Sequence, residues 1–126
     1  MSQKSVVPFK VYKPLSLQGN GTYNAEVLTG TKTLTKADAQ FQILDPAGQS
    51  VEVVLPAAAD CEGMFFFIYN RPDLETADGY AAGDSLEVMD SDGSTRLLGL
   101  NAEEQSTFLS NGDAWISLGI VLAAIE

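Results

Sequence analysis

Six apolar or aromatic residues occur in succession at Met64–Tyr69, in the segment "MFFFIY". The length of this run and its aromatic content predict a β-strand rather than a helix. Phe65 and Phe67 should point to one side of the strand and Phe66 to the other. A two-layer sandwich covers only one side, so the second needs a loop, the N-terminal segment or a neighbouring subunit. A strand buried inside one subunit is the alternative.

Short segments with strand-like alternation, separated by turn signals, fill most of residues 37–126. In "AQFQILD", Phe41 and Ile43 alternate with glutamines, which is typical of a half-buried strand. The turn signal "DPAG" at 45–48 predicts a hairpin with "QSVEVVLP", and "DSDG" at 90–93 predicts another. Asn111-Gly112 is a strong signal for a third. We therefore expect seven to nine short strands in an all-β fold, either a compact antiparallel β-sandwich or a jelly-roll-like barrel.

The chain divides by composition into two parts. Residues 1–36 carry five lysines and one glutamate, a net +4, whereas residues 37–126 carry two arginines and 16 acids, a net −14. Pro8 and Pro14 interrupt the first part, because proline cannot donate to a central ladder. We predict an extended N-terminal arm with short edge strands over 1–36 and a single β domain over 37–126.

Charge and hydropathy limit the partners of such a chain. The acidic body would repel phosphates, which argues against nucleic-acid binding. No run approaches the roughly 18–20 apolar residues of a membrane span, so we expect no membrane partner. The start "MSQKSVVPFK" lacks the apolar core of a signal peptide, and we expect synthesis in a cytoplasm.

The sequence offers few groups for catalysis. It has no histidine and one cysteine, which removes the common histidine-dependent nucleophile pairs, an intrachain disulfide and cysteine-based zinc sites. We expect Cys61 to be a small buried hydrophobe. The acidic pairs Asp90/Asp92 and Glu103/Glu104 fall in predicted turns, and the spacing after Asp90 does not fit a calcium loop. We therefore predict no catalytic residue, no cofactor and no metal ligand; a small hydrolase with paired carboxylates is the alternative.

The order of the segments is more specific than any one of them. It runs "FQILDPAG", "VEVVLPAAADCEGMFFFIYN", "LEVMDSDGSTRLLGL" and "STFLSNGDAWISLG". Over residues 41–119 this order resembles small β domains of tailed-bacteriophage virions, namely capsid decoration (cement) proteins and trimeric fibre heads. The resemblance implies a non-enzymatic protein, made in the host bacterial cytoplasm, that binds the assembled capsid surface as a homotrimer and stabilises it.

The resemblance also implies which residues meet each partner. An N-terminal extension often clamps the capsid in such proteins, so Lys4, Lys10 and Lys13 are the candidates for contact with the major capsid protein. The candidates for self-association are Phe65, Phe66, Phe67 and Trp115. On this interpretation Phe66→Asp should give monomers or aggregates.

A fibre or spike head is the alternative that the same resemblance leaves open. Such a domain would bind a host receptor or glycan through exposed aromatic side chains, for which Tyr23 and Tyr80 are the candidates.

Overall fold

The computed structural model describes residues 23–71 and 85–122, the last two of them by backbone only. Six strands form the larger of two sheets, here called the large sheet. They are β1 (Tyr23–Val27), β3 (Phe41–Asp45), β5 (Phe65–Asn70), β8 (Glu104–Ser110), β9 (Trp115–Ser117) and β10 (Val121–Leu122). The order is β9-β8-β5-β3-β1, and β10 also pairs with β8.

Four further strands form the small sheet. They are β2 (Lys32–Thr33), β4 (Ser50–Val54), β6 (Ser85–Met89) and β7 (Arg96–Asn101), in the order β2-β4-β6-β7. The two sheets pack face to face, which confirms the all-β sandwich, and they do not close into a barrel. In the described part of the chain no helix is long and apolar enough to cross a membrane.

The chain passes from one sheet to the other at each step from β1 to β6. Strands that are neighbours in a sheet are therefore two apart along the chain, and β1, β3 and β5 run parallel, as do β2, β4 and β6. Antiparallel pairing begins only with β7 and β8, which pair with β6 and β5. Both sheets are mixed, so the expectation of an antiparallel sandwich was wrong in this respect.

The predicted hairpin at residues 45–48 does not form. β3 pairs with β1 and β5 on its two edges, which leaves no edge for β4. Ala47 and Gly48 both have positive φ, at 58° and 80°, and the Asp45 carboxylate accepts the Ala47 N–H at 2.8 Å. This turn directs the chain into the small sheet instead of back along β3. Tyr23–Val27 and Lys32–Thr33, which flank Gly30, likewise lie in different sheets.

The other two hairpins are confirmed. β6 and β7 pair antiparallel across the turn at 90–95, with a register shift between Val88 and Met89. β8 and β9 pair antiparallel across Asn111-Gly112, where Gly112 has φ 93°. The segment before β5 contains one 3-10 turn, Ala58–Asp60.

The core lies between the sheets and is mainly apolar, although Gln42 and Asn70 are also buried. Its largest side chains include Phe66 and Phe108, both fully buried, and Trp115, whose ring centroid lies 5.8 Å from that of Phe66. The Trp115 Nε1–H donates to the carbonyl oxygen of Pro56 at 2.7 Å. Because this hydrogen bond satisfies the indole N–H, Trp115 can be buried without leaving an unpaired donor in the core.

The first two strands lie at the edges of the sheets. β1 is the last strand of the large sheet and β2 is the last strand of the small one. Leu28 and Leu34 nevertheless belong to the same core as the rest of the body. Residues 1–22 and 72–84 lie outside the described residues.

Asp92 organises the turn between β6 and β7. Its carboxylate accepts the N–H groups of Ser94 and Thr95 at 2.8 Å and the Thr95 hydroxyl at 2.7 Å. These hydrogen bonds, that from the Ser94 N–H first, lower the pKa of Asp92 to about 2. A carboxyl whose pKa falls on folding stabilises the fold above its unfolded pKa, and that stabilisation is lost as pH falls towards the folded value.

We expect the melting temperature of the wild type to exceed that of Asp92→Asn at pH 6, and the difference to shrink as the pH falls from about 4 to about 2. The Asn variant keeps the shape of the side chain but not its charge, so it isolates the charged acceptor. Observation of the Asp92 carboxyl by NMR titration measures the pKa directly. Titration at its ordinary value would contradict the role given to this turn.

Candidate functional site

One face of the large sheet points away from the small sheet and is here called the outer face. It is formed by alternate residues of five strands: Tyr23, Ala25, Phe41, Ile43, Phe65, Phe67, Tyr69, Gln105, Thr107, Leu109 and Ile116. None of these residues is charged. The next residue in the alternation along β3 is Asp45, which is charged but only 3% exposed. The described residues include no third layer that would cover this face.

Strand register brings the outer-face side chains into continuous rows. Tyr23, Phe41 and Phe67 are neighbours across β1, β3 and β5. Phe65 is the register partner of Leu109, which in turn is the partner of Ile116. Cross-strand neighbours on one face have Cβ atoms about 4.5–5.5 Å apart, so these rows form one apolar surface.

Aromatic packing holds the centre of the outer face. The ring of Phe41 lies 5.6 Å from that of Phe67 and 6.4 Å from that of Phe65, centroid to centroid, the second pair edge to face at 80°. These three side chains are half-buried, whereas Tyr23 and Ile116 at the margins are 61% and 40% exposed. The surface is thus ordered by its own contacts while much of it remains accessible.

The corresponding face of the small sheet has a different character. Its outward residues include Glu52, Glu87 and the serines Ser50 and Ser85, and Arg96 pairs with the Glu87 carboxylate. Two sheets of one sandwich thus differ in what they present to the outside: one presents charge and hydroxyls, the other aromatic rings. A face that met only water would not need a surface of aromatic rings.

The four predicted self-association residues separate into two groups. Phe66 and Trp115 are 0% and 5% exposed and pack inside the chain's own core. Phe65 and Phe67 lie on the outer face, as the alternation along β5 predicted. The capsid-contact candidates Lys4, Lys10 and Lys13 lie outside the described residues.

Sequence reasoning missed most of the outer face. Phe41, Ile43, Tyr69, Leu109 and Ile116 were not among the candidates. Each belongs to a strand whose alternation was visible, but the side of the sheet on which each residue lies depends on the partner strands. Of the predicted receptor-binding aromatics, Tyr23 is on the exposed margin of the outer face, and Tyr80 lies outside the described residues.

The remaining groups with potential chemistry have structural partners. Burial raises the pKa of the Cys61 thiol, which is 1% exposed, so the expected small buried hydrophobe is confirmed. A shallow depression near the β1–β2 loop has Glu26 and Lys32 on its rim, paired Oε1 to Nζ at 2.9 Å. This pairing, mainly through the Lys32 hydrogen bond, lowers the pKa of Glu26.

The acidic pairs are likewise engaged locally. Asp90 accepts the Ser91 N–H at 2.7 Å, and Asp92 holds the turn described above. Glu104 accepts the Asn101 N–H at 2.8 Å at the β7–β8 connection. No group of three or more potential metal ligands occurs within residues 23–71 and 85–122.

Comparison of the chain with protein-family models, with curated proteins and with solved structures found no match.

Proposed function

We propose that this chain is a non-enzymatic structural protein of a bacteriophage virion, a head decoration protein that binds the assembled capsid surface and stabilises it as a trimer. The observation that carries the proposal is the position of β1 at the edge of the large sheet. The basic N-terminal segment enters the body at Tyr23, on that edge, so it can reach a second molecule without crossing the core.

The distribution of charge supports the same arrangement. Lys4, Lys10 and Lys13 all precede the described body, whereas 16 of the 17 acids follow residue 36. Lys32, the first lysine within the body, is already paired with Glu26. A basic segment attached to an acidic body suits a molecule that contacts its support at one end and presents the other to solvent. The contact proposed here is between those three lysines and the major capsid protein.

Binding to heads assembled without this protein tests the proposal. Purified protein mixed with undecorated heads of the phage that encodes it should bind saturably, with a fixed number of copies per head, and should raise the temperature at which the heads disrupt. Absence of saturable binding would reject the function.

Substitution of the three arm lysines by glutamine should weaken this binding. Three exposed ionic contacts of about 0.5 kcal/mol each amount to roughly a tenfold loss of affinity. Lys13→Gln and Lys36→Gln are the matched pair for control, because each removes one positive charge and Lys36 is exposed within the described residues. An equal loss in both variants would point to net charge rather than to contact by the arm.

The head of a phage fibre or spike is a second candidate, favoured by the 61% exposure of Tyr23 on an aromatic face. Such a domain would bind a host receptor or glycan. Reproducible binding on a glycan array, lost in Tyr23→Ala, would support it over the decoration role.

A further inference from the structure

We propose that Asn111 is a site of spontaneous covalent modification, at which the Gly112 nitrogen attacks the side-chain amide and the asparagine becomes aspartate or isoaspartate. The proposal goes beyond the capsid role and does not rest on it, because its evidence is the geometry of the turn between β8 and β9. The chain itself supplies both reacting groups, and water is the only other reactant.

The electrophile is the side-chain amide of Asn111. Its Oδ1 accepts the N–H of Asp113 at 2.8 Å and that of Ala114 at 2.9 Å. Attack on Cγ places negative charge on this oxygen, and two fixed N–H donors stabilise such a charge. Asn111 is exposed, and its Nδ2 makes no hydrogen bond to any described residue, so the leaving nitrogen can take its proton from water.

The nucleophile is the backbone nitrogen of Gly112. Glycine has no Cβ to shield this nitrogen, and it adopts the φ of 93° found here without strain. The Glu62 Cδ lies 3.0 Å from the position that a Cβ at residue 112 would take, so the turn keeps this residue small. The Gly112 N–H donates to the Ser110 hydroxyl at 3.1 Å, near the long end of the usual range. This neutral acceptor holds the proton only weakly.

The reaction balances without an oxidant or a reductant. The Gly112 nitrogen loses its proton to water and forms a bond to the Asn111 Cγ, and the Cγ–Nδ2 bond then breaks to release ammonia. Water opens the resulting cyclic imide at either of its carbonyl carbons. Opening at Cγ gives aspartate, whereas opening at the backbone carbonyl carbon gives isoaspartate, in which the main chain runs through Cβ and Cγ.

The two products should affect the hairpin differently. Aspartate keeps an oxygen that can accept the Asp113 and Ala114 N–H groups, so the turn persists. Isoaspartate adds a carbon to the main chain between Ser110 and Trp115, which are register partners. An insertion between paired strands disrupts the ladder locally. The disruption reaches the Trp115 indole, whose hydrogen bond to the Pro56 carbonyl oxygen depends on the position of β9.

Incubation of the folded chain at neutral pH and physiological temperature, followed by peptide mapping, tests the proposal. Asn111 should gain about one dalton, the exchange of NH2 for OH, at least about tenfold faster than Asn101, an exposed asparagine that precedes alanine. A second thermal transition, roughly 5–10 °C below that of fresh protein, should grow with the isoaspartate fraction. The fluorescence of Trp115 should shift to longer wavelength in the same proportion.

Two variants separate the modification from its charge. Asn111→Gln closes the corresponding larger ring far more slowly, so its melting temperature and emission should not change during the same incubation. Asn111→Asp carries the charge with an ordinary main chain and should melt within about 3 °C of the fresh wild type, because its carboxylate is at an exposed turn.

Three results would overturn the proposal. The first is an Asn111 that keeps its amide as long as Asn101 does. The second is a melting transition that isoaspartate at residue 111 leaves unchanged. The third is a loss of stability that also develops in Asn111→Gln. The other Asn-Gly pair, Asn20-Gly21, lies outside the described residues, and peptide mapping distinguishes it from this site. Each result leaves binding to undecorated heads to be decided separately.

Discussion

Phe66→Ala should cost about 3–5 kcal/mol of the free energy of unfolding, a large part of the roughly 5–15 kcal/mol that a domain of this size possesses. Phe66 is fully buried and its ring contacts that of Trp115. Truncation removes the apolar side chain and leaves a cavity between the two sheets. Urea unfolding followed by the fluorescence of Trp115, the single tryptophan, measures the loss.

Phe65→Ala is the matched control, because it removes the same side chain from the adjacent residue of the same strand. Phe65 is half-buried on the outer face and contacts Phe41, so we expect a loss of about 1 kcal/mol in the monomer. Equal losses in the two variants would contradict the assignment of the two faces.

The burial of Phe66 in the core changes how a loss of oligomers in Phe66→Asp should be interpreted. From the sequence we expected this substitution to separate subunits. An unpaired carboxylate placed in the core instead prevents the sheets from packing, so a failure to form oligomers would report on folding and not on an interface. Among the predicted self-association residues, Phe65 and Phe67 are the positions at which a charge probes association.

Alternation allowed the strands to be predicted, but it did not determine their partners. A pattern of apolar and polar residues has the same period in parallel and antiparallel sheets, and it marks two faces without saying which strand lies alongside. The turn at 45–48 therefore looked like a hairpin, although the partners of β3 are strands much earlier and later in the chain. The signal at Asn111-Gly112 did identify its hairpin: Gly112 has φ 93°, and β8 and β9 pair across residues 111–114.

Gln42 shows why the outer face was only partly predictable. Alternation suggested that Phe41 and Ile43 point to the core and the glutamines to solvent. Gln42 is instead 1% exposed, because its Nε2 donates to the Ala39 carbonyl at 2.7 Å and its Oε1 accepts from Asn24 at 2.9 Å. These two hydrogen bonds offset the cost of burying an amide. Phe41 and Ile43 consequently lie on the outer face, a placement that no local pattern indicates.

A second buried amide, that of Asn70, joins the two sheets. Asn70 ends β5 in the large sheet, is fully buried, and its Nδ2 donates to the carbonyl oxygen of Leu100 in β7 at 2.9 Å. Its Oδ1 has no hydrogen-bond donor among the described residues. The hydrogen bond that the Asn70 side chain makes is therefore one that it donates, and this bond satisfies a backbone carbonyl across the core. A side chain of equal size without that donor should be poorly tolerated.

Asn70→Asp should be the most pH-sensitive substitution in the body. At neutral pH the ionised carboxylate would face the Leu100 carbonyl with two acceptors opposed, at a cost of about 3–5 kcal/mol. Burial raises the pKa of such a carboxyl, so the folded state would hold its proton and the cost would begin to disappear as pH falls towards about 4. The protonated acid can again donate to Leu100.

The measurement is the difference in melting temperature between wild type and Asn70→Asp, which should be large at pH 7 and small near pH 4. Asn70→Leu, which also lacks the donor but cannot ionise, should show a deficit that hardly changes with pH. A constant deficit in Asn70→Asp would mean that water reaches the carboxylate and that the two sheets are less closely joined at this position.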